Sequence, residues 1–264
     1  MKYTHAIVRR PGLSFVNGIT TSSLGKPDVH LAIKQHEAYC QALSDAGVQV
    51  IVLEANEDYP DGCFVEDTAI VTKKGAVITR PGDPTRRNEI DTIAASLSSF
   101  KKLQFIADPG TVDGGDILRI ENHFYIGRSN RTNSAGALQL ANLLSTMEFT
   151  SSEVSIGDIL HLKTGASYIR SNTLICVEQL KSHFNNYTTI TVEADEAYFA
   201  NTVTVNDTLI VPGGFPHSLK KVQQHLDSHF LKQKVQPKEI KIVELDMSEF
   251  QKLDGGLTCL SLLW

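Results

Sequence analysis

The sequence predicts an α/β fold: a five-bladed α/β propeller with pseudo-fivefold ββαβ repeats. Three observations carry this. A strand, a short polar turn and a second strand recur four times between Asp67 and Val211. Each hairpin runs on through a loop or polar segment into a helix, at a period of about fifty residues, as in propellers and arrays. The strands at the two chain ends, Thr4 to Val8 and Thr258 to Leu263, supply a fifth unit if they pair. That pairing would also remove an open sheet edge.

Thr4 to Val8 is apolar enough for a strand, and the Gly- and Ser-rich stretch from Arg10 to Pro27 is a long loop of the kind that serves as a lid. Asp28 can cap a helix carrying Val29, Ala32, Ile33, Cys40 and Leu43 at helical spacing, and Gly47 stops it. Val48 to Leu53 reads as a buried strand. The first full repeat is Asp67 to Val71, a Lys73-Lys74-Gly75 turn, Ala76 to Thr79, and a helix on Ile90, Ile93, Ala94 and Leu97. The second is Asp116 to Ile120, His123 to Ile126, and a helix on Ala137, Leu140, Ala141 and Leu144. The third runs from His161 through Ser167 to Arg170 and Thr173 to Val177, with a short helix near Glu178 to Phe184. The fourth is Asn201 to Val205, Thr208 to Val211, a helix on Leu219, Val222, Leu226 and Phe230, and a closing strand from Ile240 to Leu245.

A chain of 264 residues can bury a large core, and it reads as one catalytic domain over 1–264. Hydrophobic content of 41% with 21% charge describes an ordinary globular protein, and a net charge of -5 argues against a nucleic-acid partner. No stretch reaches the roughly 20 apolar residues of a membrane helix, and the first residues do not resemble a secretory leader. Cys40, Cys63, Cys176 and Cys259 form no disulfide framework, so a reduced, cytoplasmic protein is expected. The histidines show no paired metal-ligand spacing, so no metal is expected.

The repeat gathers the chemistry. Glu66-Asp67, Asp116, His161, Asn201 and Cys259 all fall at the start of the first strand of their units, so around an axis they converge at one end. Alone, a cysteine is most often a small buried hydrophobe, and Asp113-Gly114-Gly115-Asp116 a tight turn using glycines at positive φ. Together they suit nucleophilic catalysis, with Cys259 attacking, His161 moving protons and Asp113 orienting the imidazole. Asp61, Glu66, Asp67, Asp116 and Asp254 add more acid than one histidine needs. Beside a thiol they raise its pKa unless a cation sits among them, and a guanidinium matches carboxylates in pairs. Arg86-Arg87 and Arg131 could hold an anionic group at the other end of the same small molecule. Acids for a guanidinium and arginines for a carboxylate describe arginine or a derivative.

Phe64-Val65-Glu66-Asp67, Thr79-Arg80-Pro81-Gly82 with Arg86-Arg87, Asp113-Gly114-Gly115-Asp116, Arg131-Thr132-Asn133, Leu160-His161-Leu162-Lys163 and Asp254-Gly255-Gly256-Leu257-Thr258-Cys259 occur in an order that resembles the dimethylarginine dimethylaminohydrolase family. The loop Asn17-Gly18-Ile19-Thr20 to Leu24-Gly25-Lys26-Pro27 is similar to the lid of its bacterial members, and the resemblance runs from Thr4 to Leu262.

The resemblance implies a five-bladed propeller without metal or organic cofactor, acting on methylated arginine through a covalent intermediate on Cys259. It implies that His161 protonates the departing amine and then activates water, with Asp113 as its acidic partner. Asp61, Glu66 and Asp67 would grip the guanidinium, and Arg86 and Arg131 the amino-acid end. Ile19, Leu253 and Asp254 would complete the substrate site, and the family admits a homodimer. Cys63, in a segment that varies in the family, reads as a packed residue beside Phe64. Arginine deiminase, agmatine deiminase or amidinotransferase activity uses the same groups, usually on longer chains, and a non-enzymatic binder would have no need of Cys259.

Overall fold

Tight turns set the framework. Glu121, Ser171, Asn172 and Asn206 take φ of 54°, 50°, 62° and 55°, the left-handed conformation that closes a hairpin in register with the strand twist. The computed structural model describes residues 2–232 and 240–264, with the side chains of 229–232 outside the description. Phe230, expected on a helix face, therefore lies outside the described residues.

In chain order the elements are β1 (His5–Arg9), α1 (Val29–Asp45), β2 (Gln49–Leu53), β3 (Ala69–Val71), β4 (Ala76–Ile78), α2 (Ile90–Ser98), β5 (Leu103–Phe105), β6 (Ile117–Ile120), β7 (His123–Arg128), α3 (Ser134–Thr146), β8 (Thr150–Ser155), α4 (Leu162–Gly165), β9 (Ala166–Arg170), β10 (Thr173–Val177), β11 (Thr188–Val192), β12 (Val203–Val205), β13 (Thr208–Pro212), α5 (Pro216–Lys232), β14 (Lys241–Leu245), α6 (Ser248–Gln251) and β15 (Leu262–Leu263). They form five three-stranded sheets, β15-β1-β2, β3-β4-β5, β6-β7-β8, β9-β10-β11 and β12-β13-β14. In each, the first pair is antiparallel and the second parallel. The parallel step requires a crossover, and α1, α2, α3 and α5 supply it in four sheets. In the sheet of β9 to β11 the 3-10 stretch Glu178–Phe184 replaces the helix.

This is the five-bladed α/β arrangement expected, including the blade shared by the two chain ends. Ala6 pairs with Leu263 and Ile7 with Leu262. The first strand of every sheet lines an axial cavity of about 460 Å³. Apolar side chains fill the spaces between and behind the blades: Val77, Phe124 and Leu140 share one cluster, and Ile175, Leu209 and Val222 another.

Local signals were followed closely at α1. Asp28 accepts hydrogen bonds from the backbone N–H groups of His30 (2.8 Å) and Leu31 (3.2 Å), a cap worth about 1 kcal/mol. Gly47, at φ 82°, turns the chain away. Three expectations were not met. β2 is an edge strand rather than a buried one, with Val52 46% exposed, because no strand among the described residues pairs with its outer side. The polar residues expected at strand starts sit on short helical turns just ahead of the strands: Val65–Thr68, Gly114–Asp116 and Thr258–Leu260 are 3-10 turns, and His161 caps α4. Of the strand expected from Thr258 to Leu263, only its last part, β15, is extended. Among the described residues, no helix is long and apolar enough to cross a membrane.

Candidate active site

Those short turns decide where side chains point. An extended strand sends alternate residues to opposite faces, whereas one 3-10 turn can bury consecutive polar residues together. Val65, Glu66, Asp67 and Thr68 are all buried in this way. The Asp113 to Asp116 segment packs directly on that turn. A Cβ at Gly114 would lie 1.9 Å from the carbonyl oxygen of Glu66, and one at Gly115 would lie 2.6 Å from Nδ1 of His161. Neither glycine takes positive φ. These two are required for close approach, not for an unusual turn, which corrects the simple reading of the motif.

His161 is buried and its Nε2 lies 3.0 Å from Oδ2 of Asp113. Asp113 is fully buried, and its other oxygen accepts the Gly82 N–H at 2.7 Å. Burial alone would depress the imidazole, but Asp67, the hydrogen bond to Asp113 and the charge of Asp116 raise its pKa to about 9. At neutral pH this histidine is a cation.

Asp67 is matched by a different partner. Its Oδ2 accepts from Nη1 of Arg86 at 2.6 Å and its Oδ1 from the Gly115 N–H at 2.9 Å. Burial opposes its ionisation, yet His161 and Arg86 hold its pKa down at about 2. Arg86 is itself buried. Its Nε and Nη2 reach Glu89 at 3.1 and 2.8 Å, and Nη2 also donates to the Phe64 carbonyl at 3.0 Å. Among the described residues, a single Nη1 hydrogen is left without a protein acceptor. Asp67, Asp113 and His161 offer ligand atoms within 4.8 Å of one another. Every carboxylate oxygen in that trio already accepts a hydrogen bond, and Arg86 supplies the positive charge beside it.

Cys259 lies one helical turn past Gly256, whose N–H points at Sγ from 3.4 Å. Burial, Glu66 and Asp67 push the thiol up to about 12, against the Gly256 N–H and Lys163. Glu66 completes the wall behind it. Its Oε1 pairs with Nζ of Lys163 at 2.5 Å and its Oε2 accepts from the Thr258 hydroxyl at 2.8 Å. Burial raises the Glu66 pKa despite Lys163. Glu66, Lys163 and Thr258 also line the axial cavity, whereas Cys259, His161 and Asp113 do not. The three side chains thus divide the cavity from the thiol. Lys163, Thr258 and Glu89 were not singled out from sequence. Lys163 stands two residues after His161 in a motif that was noted, and that proximity was the available signal.

The loop from Gly12 to Pro27 folds over this group with a 3-10 turn, Leu13–Asn17, inside it. The Ile19 N–H reaches both oxygens of Asp61 at 3.1 and 3.2 Å. Burial raises the pKa of Asp61 in spite of Arg86. Asp254, at φ 56°, accepts from the N–H of Thr21 at 2.6 Å and from its hydroxyl at 2.9 Å. Leu253 is buried beneath Gly18, where a Cβ would meet its Cδ1 at 2.8 Å. Arg131 is half-buried and pairs with Asp83 at 3.1 Å, on the loop that begins with Pro81-Gly82. Arg87 donates to the Pro81 carbonyl at 3.4 Å. Cys63 is buried against Phe64 and the neighbouring core, with its thiol pushed well up by burial.

The fold and the site define a class: an α/β propeller carrying a cysteine, a carboxylate-bound histidine and a wall of acids at one end of its axis. Comparison with known proteins narrows it. The family described as "N,N dimethylarginine dimethylhydrolase, eukaryotic" matches residues 24–212. The N(G),N(G)-dimethylarginine dimethylaminohydrolase of Pseudomonas aeruginosa is 38% identical over 264 residues, covering 98% of this chain and 99% of that protein. The solved structure of a cysteine-to-serine mutant of the Pseudomonas aeruginosa enzyme, complexed with citrulline, superposes with a TM-score of 0.93 at 37% identity and covers 100% of both chains. A histidine-to-glycine dimethylarginine dimethylaminohydrolase bearing an S-methyl-L-thiocitrulline adduct gives a TM-score of 0.91 at 37% identity, covering 99% of this chain and 100% of that one. This chain belongs to the dimethylarginine dimethylaminohydrolase family.

Proposed function

We propose that the chain hydrolyses N-omega-methylated arginines, asymmetric dimethylarginine and monomethylarginine, to citrulline and dimethylamine or methylamine. One observation carries this beyond family membership: buried carboxylates surround a thiol and raise its pKa. A site that keeps negative charge beside a neutral thiol is poorly built for a neutral carbonyl substrate and well suited to a cation. A guanidinium entering among Asp61, Glu66 and Asp67 relieves their repulsion of the thiolate and brings its own electrophilic carbon.

In this reading, the Cys259 thiol gives its proton to solvent water as the guanidinium binds, and the sulfur then attacks the guanidinium carbon. His161, a cation held on Nε2 by Asp113, gives its Nδ1 proton to the methylated nitrogen. The C–N bond breaks, the amine departs and a thiouronium remains on Cys259. Water then loses a proton to His161 and adds to the same carbon, the C–S bond breaks, and the added hydroxyl gives its proton to the sulfur, so citrulline leaves neutral with the thiol restored. Arg131 faces the amino-acid carboxylate, and Arg86 acts on the site chiefly by holding Asp67. Ile19 and Asp254 keep the loop over the substrate. The proposed compartment is the cytoplasm, on the cysteine spacing of the sequence.

The test supplies dimethylarginine, monomethylarginine, arginine and agmatine separately to the purified protein and follows the ureido product. Citrulline from the methylated substrates, with little from arginine, is expected. Product from arginine or agmatine alone would move the chain to deiminase chemistry.

A further inference from the structure

Four of the five blades bring to the axis a residue with a role in the reaction: Asp67, Asp113, His161 and Cys259. The blade of β12, β13 and β14 brings Asn201 to the equivalent place, directly ahead of β12. It is buried, neutral and unable to transfer a proton, yet its amide is fully used. Nδ2 donates to the Lys163 carbonyl at 2.9 Å and to the Thr258 hydroxyl at 3.1 Å, and Oδ1 accepts the Thr258 N–H at 3.0 Å.

These partners belong to two different chain segments. Lys163 lies two residues beyond His161, in the helical turn that His161 caps. Thr258 immediately precedes Cys259. The amide also lies flat on the turn ahead of the thiol, since a Cβ at Gly256 would come within 2.5 Å of its Cγ and Oδ1. Gly256 is the residue whose N–H points at Sγ. Three residues earlier, the Tyr198 hydroxyl donates to the Gly255 carbonyl at 2.7 Å, so one segment grips the thiol-bearing turn at two points.

We propose that Asn201 is a positioning residue that sets the spacing between the Cys259 sulfur and the His161 imidazole. It rests on the reading above, in which Cys259 is the nucleophile and His161 the proton donor. Only a side chain that both donates and accepts can join these segments. A leucine at the same place keeps about the same size and loses both donors and the acceptor without adding a charge beside Glu66.

The experiment compares Asn201→Leu and Asn201→Ala with wild type in the 264-residue chain. It measures kcat and KM for dimethylarginine, the rate of Cys259 alkylation by iodoacetamide across pH, and Tm. Displacement of reacting groups by about 1 Å costs on the order of 10²-fold, so both variants are expected to lose about 10²-fold in kcat, with KM changed less than about threefold. The alkylation profile should move to higher pH, because a displaced Gly256 N–H no longer favours the thiolate. If Asn201 only fills space against Gly256, the similar-sized, uncharged Leu variant keeps the wild-type kcat and alkylation profile, and the proposal is overturned. A loss of kcat that simply follows a fall in Tm, with the alkylation profile unmoved, overturns it too. Should wild type give no citrulline, the hydrolase reading fails separately, and the alkylation comparison still decides the role of Asn201.

Discussion

His161 presents Nε2 to Asp113 at 3.0 Å while its Nδ1 packs where only a glycine leaves room, a Cβ at Gly115 falling 2.6 Å from it, so the ring is fixed from both sides. With the ring held protonated to about pH 9, the proposed proton donor is ready-charged at neutral pH. The folded pKa lies above the ordinary 6.5, so the stabilisation this pairing contributes is full below 6.5 and is lost as pH rises through about 9. Turnover limited by amine departure should therefore fall above about pH 9. A kcat profile that keeps climbing through that range would remove His161 as the donor. His161→Gly should abolish turnover with substrate binding retained.

Cys259 should be slow to alkylate at pH 7 in the resting protein, because its neighbours keep the proton on sulfur. A guanidinium compound that binds without reacting should lower the apparent pKa of the alkylation reaction, unless it blocks the reagent. Cys259→Ser should retain Tm and lose about 10³-fold or more in kcat, since an alcohol is much the weaker nucleophile. Steady-state assays and thermal melts on the same preparation decide this, and near-normal turnover would sink the nucleophile assignment.

The two arginines that sequence grouped together should separate cleanly. Removing Arg86 leaves Asp67 and Glu89 buried without their cation, and breaking such a pair costs about 3–5 kcal/mol. Arg86→Ala should accordingly show a large loss of stability in urea melts. Arg131 is part-exposed and paired with Asp83. Arg131→Ala should leave the melt nearly unchanged and raise KM by about 10- to 100-fold, the ~1.5–3 kcal/mol of a charged hydrogen bond. The reverse pattern would exchange their roles.

Asp254 fastens Thr20 and Thr21 of the covering loop. Asp254→Ala should raise KM by roughly fivefold, about 1 kcal/mol, and speed limited proteolysis between Gly18 and Gly25. Unchanged cleavage rates would show that the Ile19–Asp61 contact is sufficient to hold the loop.

The blades were legible because their signals are local. Alternating apolar residues around Glu121-Asn122, Ser171-Asn172 and Asn206-Asp207 announce hairpins, and Asp28 and Gly47 bound a helix within a few residues of themselves. Convergence of Asp67, His161 and Cys259 followed from the repeat alone. The pairing inside the site was not legible in the same way. Whether Arg86 meets a substrate or Asp67 and Glu89 depends on a contact with a segment 19 residues away, which periodicity does not encode. Lys163 and Glu66 meet across 97 residues for the same reason. The helical turns under Glu66, Asp116 and Cys259 escaped because three residues are too few to show a helical period.

The blade built from both β1 and β15 forms late. Most pairings here join neighbours in sequence and can form early, but Ala6 must find Leu263 and Ile7 must find Leu262. Contacts of such separation form slowly, because the entropy of the intervening chain is lost before they stabilise anything. Cys259 sits three residues ahead of that last strand, so four blades can assemble while the sulfur is still unplaced. The appearance of activity during refolding is thus a clock for ring closure, and partly folded chains carry a histidine and its acids with nothing for them to act through.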